Sequence, residues 1–149
     1  MKYQKERLTK ELQAELEPLL LDHWAEIAQY SDIPMNVDWQ RYYTMQRQGI
    51  LQVYTARDEG KLVGYCVYMV VPHLHYSDTL YAIQDVLFLH PDYRGRTAGY
   101  RMIKFADKDL EGRGVGVIMQ HVKTKHDFGP LLTRMGYEHA ENIYSKRTG

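Results

Sequence analysis

Only one cysteine, Cys66, occurs in the chain's 149 residues, which excludes an intramolecular disulfide and a zinc site built on several thiolates. That suits a reducing cytosol. No apolar run approaches the roughly 20 residues needed to cross a bilayer. The opening Met1-Lys-Tyr-Gln-Lys-Glu-Arg7 also lacks the apolar core of a signal peptide. The expectation is therefore a soluble, cytoplasmic protein without a membrane partner. Neither sign of charge dominates, Lys plus Arg and Asp plus Glu each numbering 19, so no global basic field attracts a polyanion and nucleic acid is not expected as a partner. Phenylalanine is scarce at 3 against 13 tyrosines, a bias toward half-buried rings with wet hydroxyls that suits a polar cleft or an interface. The length, residues 1–149, is that of one domain. There is no internal repeat, no Gly-Lys-Ser/Thr phosphate loop, no Gly-x-Ser-x-Gly elbow and no His-Glu-x-x-His helix.

Periodicity divides the chain into helices and strands. Leu12, Leu16, Leu19, Leu20, Trp24 and Ile27 recur at helical spacing behind a capping Thr9. Pro18 lies inside that run and should break or kink it unless a second helix starts there. Asp38 to Gln48 reads as a short helix closed by Gly49. Leu51, Val53 and Thr55 then alternate with polar neighbours up to an Asp58-Glu-Gly-Lys61 turn, and Leu62 to Val71 follows as a hairpin mate. His73 to Asp78 reads as a polar loop. Tyr81 to Leu89 is apolar on both faces, as a central strand covered by helices on each side would be. Beyond it come a helix striped by Gly99, Met102, Ile103, Ala106 and Leu110, a buried strand from Val115 to Val122, and a helix from about Asp127 to Met135. Two last short strands are expected at Tyr137 to Ala140 and Ile143 to Lys146. Gly112-Arg-Gly-Val-Gly116 has the glycine spacing of a dinucleotide loop but follows a helix and enters a strand, so it is a connection. The order is that of an α/β fold with a single mixed sheet.

The most informative stretch joins the central strand to its helix: Asp85-Val-Leu-Phe-Leu89-His-Pro91-Asp-Tyr-Arg94-Gly-Arg96-Thr-Ala-Gly99-Tyr-Arg101. The first turn of a helix leaves backbone N–H groups unpaired at the positive end of the macrodipole, which makes it an anion site. Gly95 and Gly99 permit close approach of the main chain, and Arg94, Arg96 and Arg101 add positive charge. This segment resembles the phosphate-binding motif of the GNAT superfamily of N-acetyltransferases, where a strand ending in Leu-x-Val-x-Pro precedes Arg-Gly-x-Gly-x-Gly and a helix. Thr97 stands where that pattern has its central glycine, and its hydroxyl can instead cap the helix. With Pro18 to Ala28, Asp58 to Tyr65, His73 to Tyr76 and Leu131 to Tyr137, the whole chain is similar to the small stand-alone bacterial and phage-encoded members.

That resemblance implies a mostly antiparallel mixed sheet flanked by helices on both faces, with Tyr81–Leu89 and Val115–Val122 splayed at one end to form a cofactor cleft. It also implies acetyl-CoA as co-substrate, an amine as acceptor (small molecule or protein) and, commonly, a homodimer. The pyrophosphate would lie on Arg94, Gly95, Arg96, Thr97, Ala98, Gly99 and Tyr100. The pantetheine and acetyl group would lie along Leu87, Phe88 and Leu89, and Lys125 would meet a phosphate unless that segment merely caps its helix through Asp127.

Acetyl transfer to an amine needs a base, an oxyanion donor and an acid for the thiolate. Asp85 shares strand parity with Ile83, Leu87 and Leu89, where desolvation would raise its pKa and make it a base; alternatively it accepts hydrogen bonds and only orders the site. His121 is either a proton carrier or the polar end of a buried strand. His73 and His75, with His90 or Asp85, can imitate a metal site but are more often loop histidines, and no metal is expected. His23 and Glu26 read as a solvated helix face. Where many GNAT relatives carry the acidic tyrosine, this chain has Leu132, leaving Tyr144 or Tyr137, water or an unassisted thiolate. The alternative function is a catalytically weak acyl-CoA-binding relative that acts through a protein surface. Cys66, mid-strand among apolar residues, reads as an inert thiol.

Overall fold

The computed structural model describes residues 1–149. One sheet holds five strands in the order β1-β2-β3-β4-β5: β1 (Lys2–Glu6), β2 (Leu51–Asp58), β3 (Lys61–His73), β4 (Tyr76–Leu89) and β5 (Val115–Met119). All neighbours are antiparallel except the parallel β4–β5 pair. Helices α1 (Lys10–Ile27) and α2 (Trp39–Arg47) cover one face, and α3 (Ala98–Gly112) covers the other. A short α4 (Gly129–Arg134) follows β5. This is the open, mostly antiparallel sheet between helices that the sequence implies.

Alternation along the strands assigns each side chain to one of two cores. Tyr54, Ala56, Cys66 and Tyr68 pack with Met102, Ala106 and Leu110 of α3, whereas Val53, Tyr65, Val67 and Phe88 pack with Leu12, Leu16 and Leu20 of α1. Burial pushes the Cys66 thiol pKa well up, which keeps it protonated.

Pro18 does not interrupt α1, which runs unbroken for 18 residues from its Thr9 cap, whose hydroxyl accepts from Leu12 N at 3.1 Å. The stripe Leu12, Leu16, Leu20, His23, Ile27 stays buried throughout. Each buried leucine contributes roughly 1.5–3 kcal/mol, which together outweigh the ~3 kcal/mol cost of an internal proline. Pro18 and Ala14 both face solvent, so the Ala14 carbonyl that loses its helical donor can bond to water instead.

Strand β1 is the element the sequence reading lacks, because Lys2-Tyr-Gln-Lys-Glu6 offers no apolar alternation. Main-chain pairing with β2 along its whole length and Tyr3 packed against the α3-side core place it, and charge ties it to the helix. Arg57 on β2 bonds Glu6 (Nε to Oε2, 2.8 Å) and Glu15 of α1 (Nη1 to Oε2, 2.7 Å), tying edge strand to helix. Burial alone would raise the Glu6 carboxyl, but bonds from Arg57, Gln4 and Thr55 outweigh it and hold its pKa at about 2.

Three other expectations are corrected. The polar loop at His73 to Asp78 is a tight turn, because β3 and β4 keep pairing as far as His73 and Tyr76. Strand β5 ends at Met119, and its Gly116 and Val117 are exposed, because its outer edge has no neighbouring strand. The two terminal strands do not form. Residues 138–149 are exposed and irregular. With no buried face to gain from pairing on β5, the tail crosses toward the end of α1, where the Ser145 and Tyr30 hydroxyls bond at 2.9 Å and Arg147 pairs with Asp32 at 3.1 Å.

Candidate functional site

The parallel pairing of β4 with β5 covers Leu80 to Ile83 and stops at Ile83 opposite Met119. Beyond that point the strands diverge. The Gln84 side chain fills the fork, its Oε1 accepting from His121 N at 2.7 Å. His90 N donates to the Val63 carbonyl at 2.8 Å, so by two-residue alternation Phe88 and His90 turn their main-chain groups to β3 while Leu87 and Leu89 turn theirs to the open side. The Leu89 carbonyl is met there by Arg94 Nε at 2.6 Å. The Leu87 N–H and carbonyl and the Leu89 N–H thus form a short unpaired strand edge.

This edge leads to the start of α3. Thr97 occupies the N-cap position at φ −94°, and its hydroxyl makes no capping bond. The first helical bond is Arg101 N to Thr97 O at 2.8 Å, so the N–H groups of Ala98, Gly99 and Tyr100 carry no helical partner. The turn needs a left-handed residue at one place, and Gly95 supplies it with φ +86°. Space beside Gly95 and Gly99 is open: a Cβ added at either meets nothing within 4 Å. A cavity of about 190 Å³ sits at this corner, lined by His23, Leu87, Arg94, Gly95, Gly99 and Phe128 among others.

A second cavity, of about 860 Å³, opens at the fork on the α1 and α2 side. Asp85 reaches it because of a β-bulge. Val67 opposes Val86 while Tyr68 opposes Gln84, leaving Asp85 without a partner on β3. The extra residue flips the strand's parity, so Asp85 and Val86 line the same cavity and the parity shared with Leu87 and Leu89 is lost. The Tyr42 hydroxyl of α2 donates to Asp85 Oδ2. Burial, then the neighbouring Asp85 charge, raises the Tyr42 pKa and keeps that hydroxyl a donor. His121 also lines this cavity.

Residues 9–137 match the acetyltransferase (GNAT) family. The chain belongs to this family. Its fold is shared with ribosomal-protein-alanine N-acetyltransferase of Brucella melitensis biovar Abortus 2308, at TM-score 0.72 and 17% identity over 99% of this chain and 100% of the other. Glucosamine-6-phosphate N-acetyltransferase of Arabidopsis thaliana is similar at TM-score 0.74 and 12% identity, with 100% of both chains covered. A predicted acetyltransferase of Clostridium acetobutylicum, crystallised with acetyl-CoA, gives 0.69 and 13% over 98% of this chain and 95% of the other. No curated protein sequence matches significantly.

Within this GNAT chain the remaining sequence candidates are placed as follows. Arg94 does not project as a free cation: its Nη1 and Nη2 form a fork on Glu26 of α1, both at 2.7 Å, and its guanidinium lies over Phe88. Arg96 and Arg101 remain exposed at the corner, and Tyr100 carries Lys104 Nζ 5.4 Å from its ring centre. Lys125 Nζ donates to the Ala28 carbonyl at 2.7 Å, which ties the β5–α4 segment to the end of α1. Tyr144 is 90% exposed, and it is Ile143 and Ser145 beside it that line the larger cavity. The Tyr137 hydroxyl donates to Asp107 Oδ1 at 2.7 Å, and Leu132 is buried.

His23 and Glu26 are not a solvated face. His23 is 5% exposed, 3.0 Å from the Tyr65 hydroxyl, and desolvation pulls its pKa down to about 4. His73 Nδ1 accepts from His75 N at 3.0 Å, and no cluster of three or more His, Cys, Asp or Glu residues is arranged to hold a metal. Sequence reasoning missed Tyr42, Gln84 and the Glu26–Arg94 fork. The tyrosine excess was the only signal for the first, and the others depend on contacts 37 and 68 residues apart.

Proposed function

We propose that this chain transfers an acetyl group from acetyl-CoA to a primary amine, the amine attacking the thioester directly within a ternary complex. One observation carries the reading: a single continuous edge runs from the unpaired N–H groups of α3, past Leu89 and Leu87, to Asp85 and His121 at the fork. The residues fit the co-substrate. The uncapped first turn and the open space beside Gly95 and Gly99 suit a diphosphate, and the unpaired edge of β4 suits the amides of a pantetheine arm, which would add to the sheet as a strand does. Acetyl-CoA supplies the activated acyl group.

Asp85 is the base in this reading. An ammonium entering the larger cavity meets its carboxylate at the fork, and Tyr42 fixes the carboxylate's orientation. His121, held at the fork through its own main chain, stands beside the same cavity as a second proton acceptor. The tyrosines that the resemblance offers do not serve as the acid for the thiolate in this reading, because Leu132 has no hydroxyl, Tyr137 is engaged by Asp107 and Tyr144 faces solvent. Water takes that role. The test is thiol release from acetyl-CoA in the presence of a panel of primary amines. Amine-dependent thiol release is expected. Acetyl-CoA binding without release for any amine or protein acceptor would instead favour an acyl-CoA-binding protein.

A further inference from the structure

We infer that the acceptor is a small primary monoamine carried on a bulky apolar or aromatic body, an inference that rests on the acetyl-transfer reading above. The larger cavity, about 860 Å³, is of the size that holds drug-like ligands. Of its 31 lining residues 21 are hydrophobic, and they include both tryptophans of the chain, Trp24 and Trp39, with Ile33, Met35 and Val37 between the helices. Burying an apolar body there gains free energy in proportion to its area. A sugar or polyamine would leave its hydroxyls or extra ammonium groups facing hydrocarbon.

The charges point to one cationic centre. Asp85 stands at the fork, where the acetyl group would arrive. The other carboxylate of the cavity, Asp38, is committed to α2, its Oδ1 accepting from Arg41 N at 3.0 Å. Arg41 and Lys123 are also in the lining and repel further ammonium groups. The tail limits length. Ile143 and Ser145 wall the cavity, and the Ser145–Tyr30 and Arg147–Asp32 contacts hold the tail against the 30–32 turn. This narrows the way out of the site, which suits a short acceptor over a polypeptide that must run out of it.

The experiment uses 2-phenylethylamine and 4-phenylbutylamine against spermidine, an aminoglycoside, glucosamine 6-phosphate and a short peptide beginning with alanine. Because Trp24 and Trp39 line the cavity, tryptophan emission reports amine binding without acetyl-CoA. The phenylalkylamines are expected to shift that emission and to give kcat/KM for thiol release at least about tenfold above the polar amines and the peptide. Ile33, 47% exposed on its loop, can be changed without opening a core. Ile33→Asp should raise KM for 4-phenylbutylamine by about tenfold. Equal or faster turnover of a polyamine, sugar amine or peptide overturns the acceptor class and leaves acetyl transfer standing, as does an unchanged emission with both phenylalkylamines. Failure of acetyl-CoA to bind in calorimetry overturns both.

Discussion

At the scale of single residues, the bulge that turns Asp85 into the cavity matters more than the residue's burial among apolar neighbours. The bulge aims the carboxylate at the fork, and the Tyr42 hydroxyl behind it fixes its orientation. Asp85→Asn is expected to lower kcat by about 10²–10⁴ with acetyl-CoA affinity retained, and to change the dependence of kcat/KM on pH. An unaltered pH profile would remove the base assignment. His23 gives a second prediction. Its folded pKa of about 4 lies below the ordinary 6.5, so the unfolded chain binds the proton more readily. Its contribution is then fully present above about pH 6.5 and is lost as pH falls toward 4, by at most on the order of 3 kcal/mol. His23→Gln should flatten the dependence of melting temperature on pH across that window.

At the scale of elements, the junction of β4 with α3 was legible because glycine, arginine and proline act locally on the backbone. Even the departure at Thr97 resolves locally: that residue sits at φ −94°, where threonine is comfortable, and the left-handed conformation falls on Gly95. What was not legible is the use of Arg94. Its partner Glu26 lies 68 residues away on α1, so the guanidinium reads as a phosphate ligand in sequence and acts as a strut between helix, strand and loop in the structure. Arg94→Lys keeps the charge and loses the fork. The expected cost is about 1–2 kcal/mol, a fall of roughly 3–8 °C in melting temperature by calorimetry. The continuity of α1 through Pro18 was hidden for a similar reason, since the buried stripe that overrides the proline is a property of packing.

At the scale of the whole molecule, the succession of elements and a sheet covered on both faces could be read from the apolar pattern, whereas both ends of the chain could not. Strand β1 is held by main-chain pairing with β2 and by the Glu6–Arg57–Glu15 contacts, neither of which shows as an apolar pattern in the sequence. The tail has strand-like alternation but finds no buried face, and packs instead beside the larger cavity. Deleting residues 142–149, all exposed, should change stability by less than about 0.5 kcal/mol while raising KM for the acceptor and leaving acetyl-CoA affinity intact. A large loss of stability would show that the tail belongs to the core.

Whether the uncapped start of α3 holds a diphosphate is tested most directly by calorimetric titration of acetyl-CoA into the wild-type chain and Gly99→Val. Open space beside Gly99 lets the variant fold, so it should melt at nearly the wild-type temperature. The prediction is one acetyl-CoA bound per wild-type chain and no measurable heat with Gly99→Val. Equal affinity in the two proteins, or no binding to the wild type, would contradict it.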